Sequence, residues 1–283
     1  MCGSPERTQR LYGGDLIDSK PIGEGRMAEI YPWEGGRVLK LFRGDWPGAA
    51  RHEFNIARAV YEQGVPTPEP IEIIQVDGKP GIVYARVQGS SLLGAMSDHP
   101  LYLLRYARQM AELHLKIHAC RAPELPSARP ELKRLIQQQE RLPSDLKTPL
   151  LELLETLPDG DSLLHGDFHP DNLMVGAQGM AIIDWPNAAR GCPIADVART
   201  TVILRFGRPP YAFSWQMRIL VTFVQLFRLT YTRAYFAAST HSPQELPAWE
   251  LVLAAHRLGD RIPGENEKLL GLIRRGLAQR LQP

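Results

Sequence analysis

Cysteine is scarce in this chain: Cys2, Cys120 and Cys192 are the only three in 283 residues. They are odd in number, far apart and form no Cys-x-x-Cys pair. That pattern excludes a disulfide framework and a thiolate zinc site, and it predicts free thiols. Cys192 has no base beside it in sequence, so a thiol nucleophile is not expected. Net charge is low as well, +2 from 33 basic and 31 acidic residues. No global attraction to nucleic acid or to an anionic membrane follows from it. Long apolar runs are missing too. The most apolar stretch, Ile219 to Leu229, is interrupted by Gln225 and Arg228 and is too short to span a bilayer. The opening MCGSPERTQR lacks the apolar centre of a signal peptide, so the expectation is a cytoplasmic protein. What remains is ordinary globular composition, 44% hydrophobic and 23% charged, in a length that suits about two structural units.

The first ninety residues read as strands around a single helix. Ile30–Trp33 and Val38–Phe42 flank Gly35-Gly36, and Ile71–Val76 and Gly81–Val87 flank Asp77-Gly78; both pairs read as hairpins. Between them a helix is expected over 47–63, opened by Pro47 and stopped by Gly64. After Gln88-Gly89-Ser90-Ser91 the pattern turns helical. Leu103, Ala107, Met110, His114 and Ile117 recur at steps of four and three, one face of a helix. The stretch 121–130 reads as a loop, 131–141 and 149–157 as helices, and Ser162–Leu164 as a short strand. A small hairpin is expected over 173–184, and mostly helix beyond Asp196. The reading is an α+β protein of two lobes, with a β-rich span 1–89, a mostly helical span 90–283, and Val87–Ser91 as the joint.

The chemistry concentrates in His165-Gly166-Asp167-Phe168-His169-Pro170-Asp171-Asn172, followed by Ile182-Ile183-Asp184-Trp185. Transfer of a phosphoryl group to a neutral hydroxyl needs a carboxylate to orient the nucleophile and take its proton. It also needs hard oxygen donors for magnesium on the phosphates. Asp167 suits the base, Asn172 a metal ligand, and Asp184 the main metal ligand. HGDxHxxN followed by a strand and Asp-Trp resembles the aminoglycoside phosphotransferase and choline kinase-like family. That family is a small-molecule branch of the protein-kinase fold.

The resemblance extends upstream. Gly23 and Gly25 lie in Ile22-Gly23-Glu24-Gly25-Arg26-Met27-Ala28, a glycine turn whose backbone amides can approach phosphates, although Ala28 stands where protein kinases have a third glycine. Lys40 sits inside an apolar strand; a solvated lysine is the bland reading, and a phosphate-binding ammonium held by Glu53, with Glu62 as the second candidate, is the sharper one. Ile82 to Gly89 is similar to the family's lobe connector, which implies that backbone groups near Ala85 to Val87 meet the base. Downstream, Asp196 resembles an acidic residue of the family and is by chemistry a good helix N-cap. His165 is read as orienting the catalytic loop, His169 as doing the same or approaching the substrate, and His114 as a satisfied core histidine. Trp215, Phe223, Phe227, Tyr231 and Tyr235 are spaced as core packing.

The resemblance therefore implies a kinase with ATP or GTP as co-substrate, bound with magnesium between the lobes, and a small hydroxyl compound as acceptor. From Val197 to Pro283 there are twelve basic residues against five acidic ones, Glu245, Glu250, Asp260, Glu265 and Glu267. That balance argues against a polycationic acceptor and for a neutral or anionic metabolite. Two other readings compete. A metal-dependent phosphoesterase is suggested by Asp167-Phe168-His169, yet only His241 and His256 follow. A non-catalytic nucleotide-binding module is disfavoured because Lys40, Asp167, Asn172 and Asp184 are all present.

Overall fold

The structure is a computed structural model that describes residues 10–12, 20–25, 27–44, 48–207 and 215–280. The opening elements are β1 (Arg10–Tyr12), β2 (Gly23–Glu24), β3 (Ala28–Trp33) and β4 (Arg37–Phe42). Next come α1 (Ala49–Glu62), β5 (Pro70–Val76), β6 (Lys79–Ala85) and β7 (Ser90–Ser91). Then follow α2 (Leu92–Asp98), α3 (Leu103–Ala119), α4 (Ala128–Gln138), α5 (Ser144–Thr156) and β8 (Ser162–Leu164). Strands β9 (Leu173–Gly176), β10 (Gly179–Ile182) and β11 (Ala189–Gly191) lead to α6 (Pro193–Phe206), α7 (Trp215–Ala238), α8 (Leu246–Arg257) and α9 (Asn266–Arg280).

The chain divides into two compact units. The first holds the described residues up to Ser90 together with Leu173–Pro186. Its sheet has the order β1-β5-β6-β4-β3-β2, antiparallel except where β1 runs parallel to β5. The turns are the ones the sequence predicts. Gly35 and Gly36 have φ of 68° and 69°, and Asp77 and Gly78 have φ of 51° and 77°. Paired left-handed residues match the twist of a hairpin, and glycine enters that region without steric cost. Alternation along β4 sorts its side chains. Leu39 and Leu41 pack with Ile74, Val76 and Val83 on one face. Phe42 packs with Ala28, Ile82 and Ala50 of α1 on the other. Lys40 has the parity of Phe42, so it faces the helix rather than solvent. Pro47 lies outside the described residues; α1 begins after Gly48 and gives way at Gly64, where φ is 77°.

The contiguous spans 1–89 and 90–283 differ from this division at Leu173–Pro186. The β9–β10 hairpin is bound to the first unit through a segment far away in sequence. The Ile182 N–H donates to the Pro66 carbonyl at 2.7 Å. The Thr67 hydroxyl donates to the Ile182 carbonyl at 2.8 Å and accepts from the Trp185 indole at 3.0 Å.

The second unit holds Ser91–Asn172 and the described residues from Asn187. Helix α6 is buried almost all round, which explains its lack of a polar stripe; it packs on α7 and α8, while α3 packs on α7 and β8. The expected stripe of α3 is buried throughout. Helix α4 starts at Ala128 rather than at the expected 131, because Ser127 caps it and Pro130 sits in its first turn, where no N–H is missed. Helix α5 starts before Pro149 and carries that proline internally. No described helix is long and apolar enough to cross a membrane.

Candidate active site

In the first unit, Lys40, Glu53 and Asp184 converge. The Lys40 ammonium donates to both carboxylate oxygens of Glu53, at 2.7 and 2.8 Å, and to Asp184 Oδ1 at 2.7 Å. Strand parity on β4 and the inward face of α1 bring lysine and glutamate together; the turn after β10 brings the aspartate. The Glu53 side chain is 3% exposed, that of Asp184 41%. Burial pulls the Lys40 ammonium down, but the two carboxylates outweigh it and the net shift is upward. The lysine is therefore charged at any physiological pH. Asp184 has φ of 69°, a left-handed conformation that a non-glycine residue holds only where its surroundings impose it.

Sequence reasoning missed Tyr84. Its hydroxyl donates to Glu53 Oε1 at 3.1 Å. The signal was available in the register: Lys40 pairs with Ile82 and Val38 with Tyr84, which puts Tyr84 on the face of Lys40. The glycine turn is closed by the Gly25 N–H donating to the Ala28 carbonyl at 2.9 Å; Arg26 between them lies outside the described residues. Among the described residues, a Cβ on Gly23 or Gly25 would meet only ordinary contacts, at 3.6 and 3.5 Å. In the connector, the Ala85 N–H donates to the Glu69 carbonyl at 2.9 Å. The Val87 N–H bonds no backbone carbonyl among the described residues.

In the second unit, the loop from His165 to Asn172 is built around Asp196. The His165 N–H donates to Asp196 Oδ2 at 2.6 Å and the Gly166 N–H to Oδ1 at 2.9 Å. The imidazoles of His114 and His118 lie 3.0 and 3.4 Å from the same Oδ2, and Tyr231 and Tyr235 meet their Nδ1 atoms at 2.6 and 2.7 Å. Burial, with His118 beside it, lowers His114 to about 3. A neutral ring then donates from Nε2 to Asp196 and accepts the tyrosine proton at Nδ1. Burial pushes the Asp196 carboxyl up, but these donors outweigh it and hold it well below its ordinary value. Asp196 is therefore not the N-cap of α6, which begins at Pro193 after Cys192; from the fourth helical position it holds the loop that starts at His165. His114, His118 and Asp196 also have the spacing of a metal site, but the tyrosine hydroxyls and loop amides already engage them. Phe227, Tyr231 and Tyr235 are buried as expected, Phe223 is 40% exposed, and the Trp215 side chain lies outside the described residues.

The loop then turns at Gly166, whose φ is 78° and whose added Cβ would fall 2.4 Å from the Asn187 carbonyl oxygen; only glycine fits there. The Asp171 N–H donates to His169 Nδ1 at 3.3 Å, which puts the ring proton on Nε2, 3.3 Å from Asp167 Oδ2. Asp167 Oδ1 accepts from Arg199 Nη2 at 3.2 Å. Burial would raise the Asp167 carboxyl, but His169 and Arg199 more than reverse it, and it is held well below its ordinary value. The Asn172 amide nitrogen donates to the Asp167 carbonyl at 2.9 Å, so its Oδ1 is the atom left for a cation. Arg199 was also missed by sequence reasoning, because nothing local in α6 marks it.

Residues 20–250 match the family described as "Phosphotransferase enzyme family". Among solved structures, the apo form of a thermostable mutant of aminoglycoside phosphotransferase APH(4)-Ia is similar with a TM-score of 0.64, at 17% identity over 93% of this chain and 95% of that one. Amicoumacin kinase hAmiN, in complex with AMP-PNP, Ca2+ and Ami, gives 0.61 at 15% identity, covering 96% of this chain and 90% of that one. A choline/ethanolamine kinase family protein from Mesorhizobium loti gives 0.57 at 17% identity, covering 93% and 88%. At these identities the likeness shows the fold, which is kinase-like. The family match spans most of the sequence, and the chain belongs to the phosphotransferase enzyme family.

Proposed function

We propose that this phosphotransferase is a small-molecule kinase that moves the γ-phosphoryl group of ATP or GTP to a hydroxyl. The observation that carries the reading is the Lys40 ammonium bonded at once to Glu53 and Asp184. A cation fixed by a buried carboxylate and facing a half-exposed one is built for phosphate oxygens. Gly23 and Gly25 support it. Glycine at either position lets a phosphate approach the backbone amides. The Val87 N–H is the connector's donor for the base.

The oxygen donors fit a hard divalent cation. Asp184 offers its carboxylate and Asn172 its Oδ1, and neither is a soft ligand. These two oxygens would hold the magnesium, whose positive charge would offset the negative charge on the nucleotide phosphates. Asp167 orients the acceptor hydroxyl and takes its proton. The acceptor oxygen bonds to the γ-phosphorus, the bond to the β,γ-bridging oxygen breaks, and the nucleoside diphosphate leaves. A strongly acidic carboxylate suits this role. Proton transfer is late when the transition state is loose, so the base mainly positions the nucleophile.

The acceptor is inferred to be neutral or anionic. Of the five acids after Val197, four are engaged by bases of their own unit. Asp260 and Glu265 bond Arg257, Glu250 lies 3.7 Å from Arg205, and Glu245 lies 3.7 Å from His241. Few acids of that stretch are left to meet a polycation. The phosphoesterase reading loses support because both ring nitrogens of His169 are engaged within the loop. Two variants test the assignment by dialysis against labelled ATP and by turnover. Asp167→Asn should bind nucleotide normally and lose turnover by about a hundredfold or more; Asp184→Ala should weaken magnesium-dependent nucleotide binding itself. Comparable turnover in Asp167→Asn contradicts the role of Asp167.

A further inference from the structure

Asp167 is one end of a line of alternating charges that runs to the C-terminal part of the second unit. Arg199 lies on α6, and its side chain is 7% exposed. Its Nη2 donates to Asp167 Oδ1 at 3.2 Å and to Asp260 Oδ2 at 2.8 Å, and its Nη1 lies 3.1 Å from His256 Nδ1. Burial, with Arg199 beside it, lowers His256 to about 4, so the ring is a neutral acceptor for the guanidinium. Asp260 stands at the end of the short turn after α8, just before Arg261, whose φ is 57°. Its Oδ2 also accepts from Arg257 Nη1 at 3.0 Å. Arg257 in turn makes a two-pronged contact with Glu265, Nε to Oε2 at 2.9 Å and Nη2 to Oε1 at 3.1 Å. Asp260 and Glu265 lie beyond the residues 20–250 shared with the family.

We propose that Arg199 is a positioning residue for Asp167 and that Asp260 aims it, so that the segment after α8 sets how the base is held. This rests on the reading of Asp167 as the base. The geometry explains the choice of residue types. A guanidinium has several N–H donors in fixed directions and cannot lose its proton, so one side chain holds two carboxylates through Nη2 and an imidazole through Nη1. The shorter contact goes to Asp260, which is itself clamped by Arg257. Arg199 is therefore anchored on the Asp260 side and lends one N–H to Asp167. Each Asp167 oxygen then has a single side-chain donor, Arg199 on Oδ1 and His169 on Oδ2, and keeps lone-pair capacity for a hydroxyl. A line that merely fastened α6 to the end of α8 would not need to end on the catalytic carboxylate.

The test uses the full chain with Mg·ATP and water as acceptor, measuring steady-state hydrolysis, ATP dissociation constant and thermal midpoint. The variants are Arg199→Gln, Arg199→Lys, Asp260→Asn and the double variant Arg199→Gln/Asp260→Asn, with Asp167→Asn as reference. Arg199→Gln should lower kcat by about tenfold or more with the ATP dissociation constant unchanged, and Arg199→Lys should recover part of it. Asp260→Asn should lower kcat by about threefold in the wild-type background and have no further effect on Arg199→Gln, because both act through one contact. Asp260→Asn, on a partly exposed side chain, keeps the test open if Arg199→Gln does not fold. Equal effects of Asp260→Asn in both backgrounds overturn the inference. So does wild-type kcat in Arg199→Gln or Asp260→Asn, or a loss confined to ATP affinity. If Asp167→Asn hydrolyses ATP like the wild type, the reading of Asp167 itself fails; the inference alone fails when Asp167→Asn is inactive and the Arg199 variants are not.

Discussion

His114 makes the stability of the second unit dependent on pH in a way that can be calculated. The ring is fully buried, faces His118, Asp196, Tyr231 and His165, and is lowered to about 3. In the unfolded chain a histidine titrates near its ordinary value of about 6.5. As pH falls below that value, the unfolded state takes up a proton that the folded state refuses until about 3. Stability is thus lost with decreasing pH, at about 1.4 kcal/mol per unit, which amounts to about 2 kcal/mol at pH 5. Asp196 does not offset this. Its folded carboxyl is depressed, so its contribution is intact above the ordinary carboxylate range and is lost only below it. The perturbation is His114→Gln, and the assay is urea unfolding followed by tryptophan fluorescence at pH 7 and pH 5. The variant should be less stable at pH 7, because its amide cannot bridge Tyr231 and Asp196 as the ring does. It should then lose about 2 kcal/mol less than the wild type between the two pH values. Parallel losses in the two proteins would refute the assignment of a neutral, buried imidazole.

Gly166→Ala places a Cβ 2.4 Å from the Asn187 carbonyl oxygen on a backbone with φ of 78°. Urea unfolding should show a loss of about 2 kcal/mol or more, or turnover should collapse as the loop shifts. Tyr84→Phe removes the hydroxyl bonded to Glu53 and should weaken that contact by about 1 kcal/mol. Dialysis should then show ATP affinity reduced by about fivefold; unchanged affinity would mean that Glu53 needs only Lys40.

Much of the first unit was legible because its signals are local. Gly35-Gly36 and Asp77-Gly78 name their turns, and β-branched alternation names the strands between them. The Lys40–Glu53 pair was legible because a lysine in an apolar strand needs a partner, and the next helix supplies one. Tyr84 required the strand register as well as the strand. The grouping of Leu173–Pro186 with the first unit was not legible, since it depends on Pro66 and Thr67, more than a hundred residues upstream. Asp196 was legible as an important acid but misplaced as a helix cap. Its donors come from α3 and from the loop that starts at His165, and only the folded chain brings them to one oxygen. Arg199 and Asp260 are 61 residues apart and carry no motif. Buried ion pairs of this kind are set by packing, which periodicity does not report.

The measurement that bears most directly on the central claim is transfer of label from γ-labelled ATP or GTP, with magnesium, to a panel of amino alcohols, sugars, hydroxy-amino acids and aminoglycosides. The wild type should label a neutral or anionic hydroxyl compound, and Asp167→Asn should not label it while still binding the nucleotide. Equal labelling by Asp167→Asn, or nucleotide binding by the wild type with no labelling of any acceptor, would contradict the account.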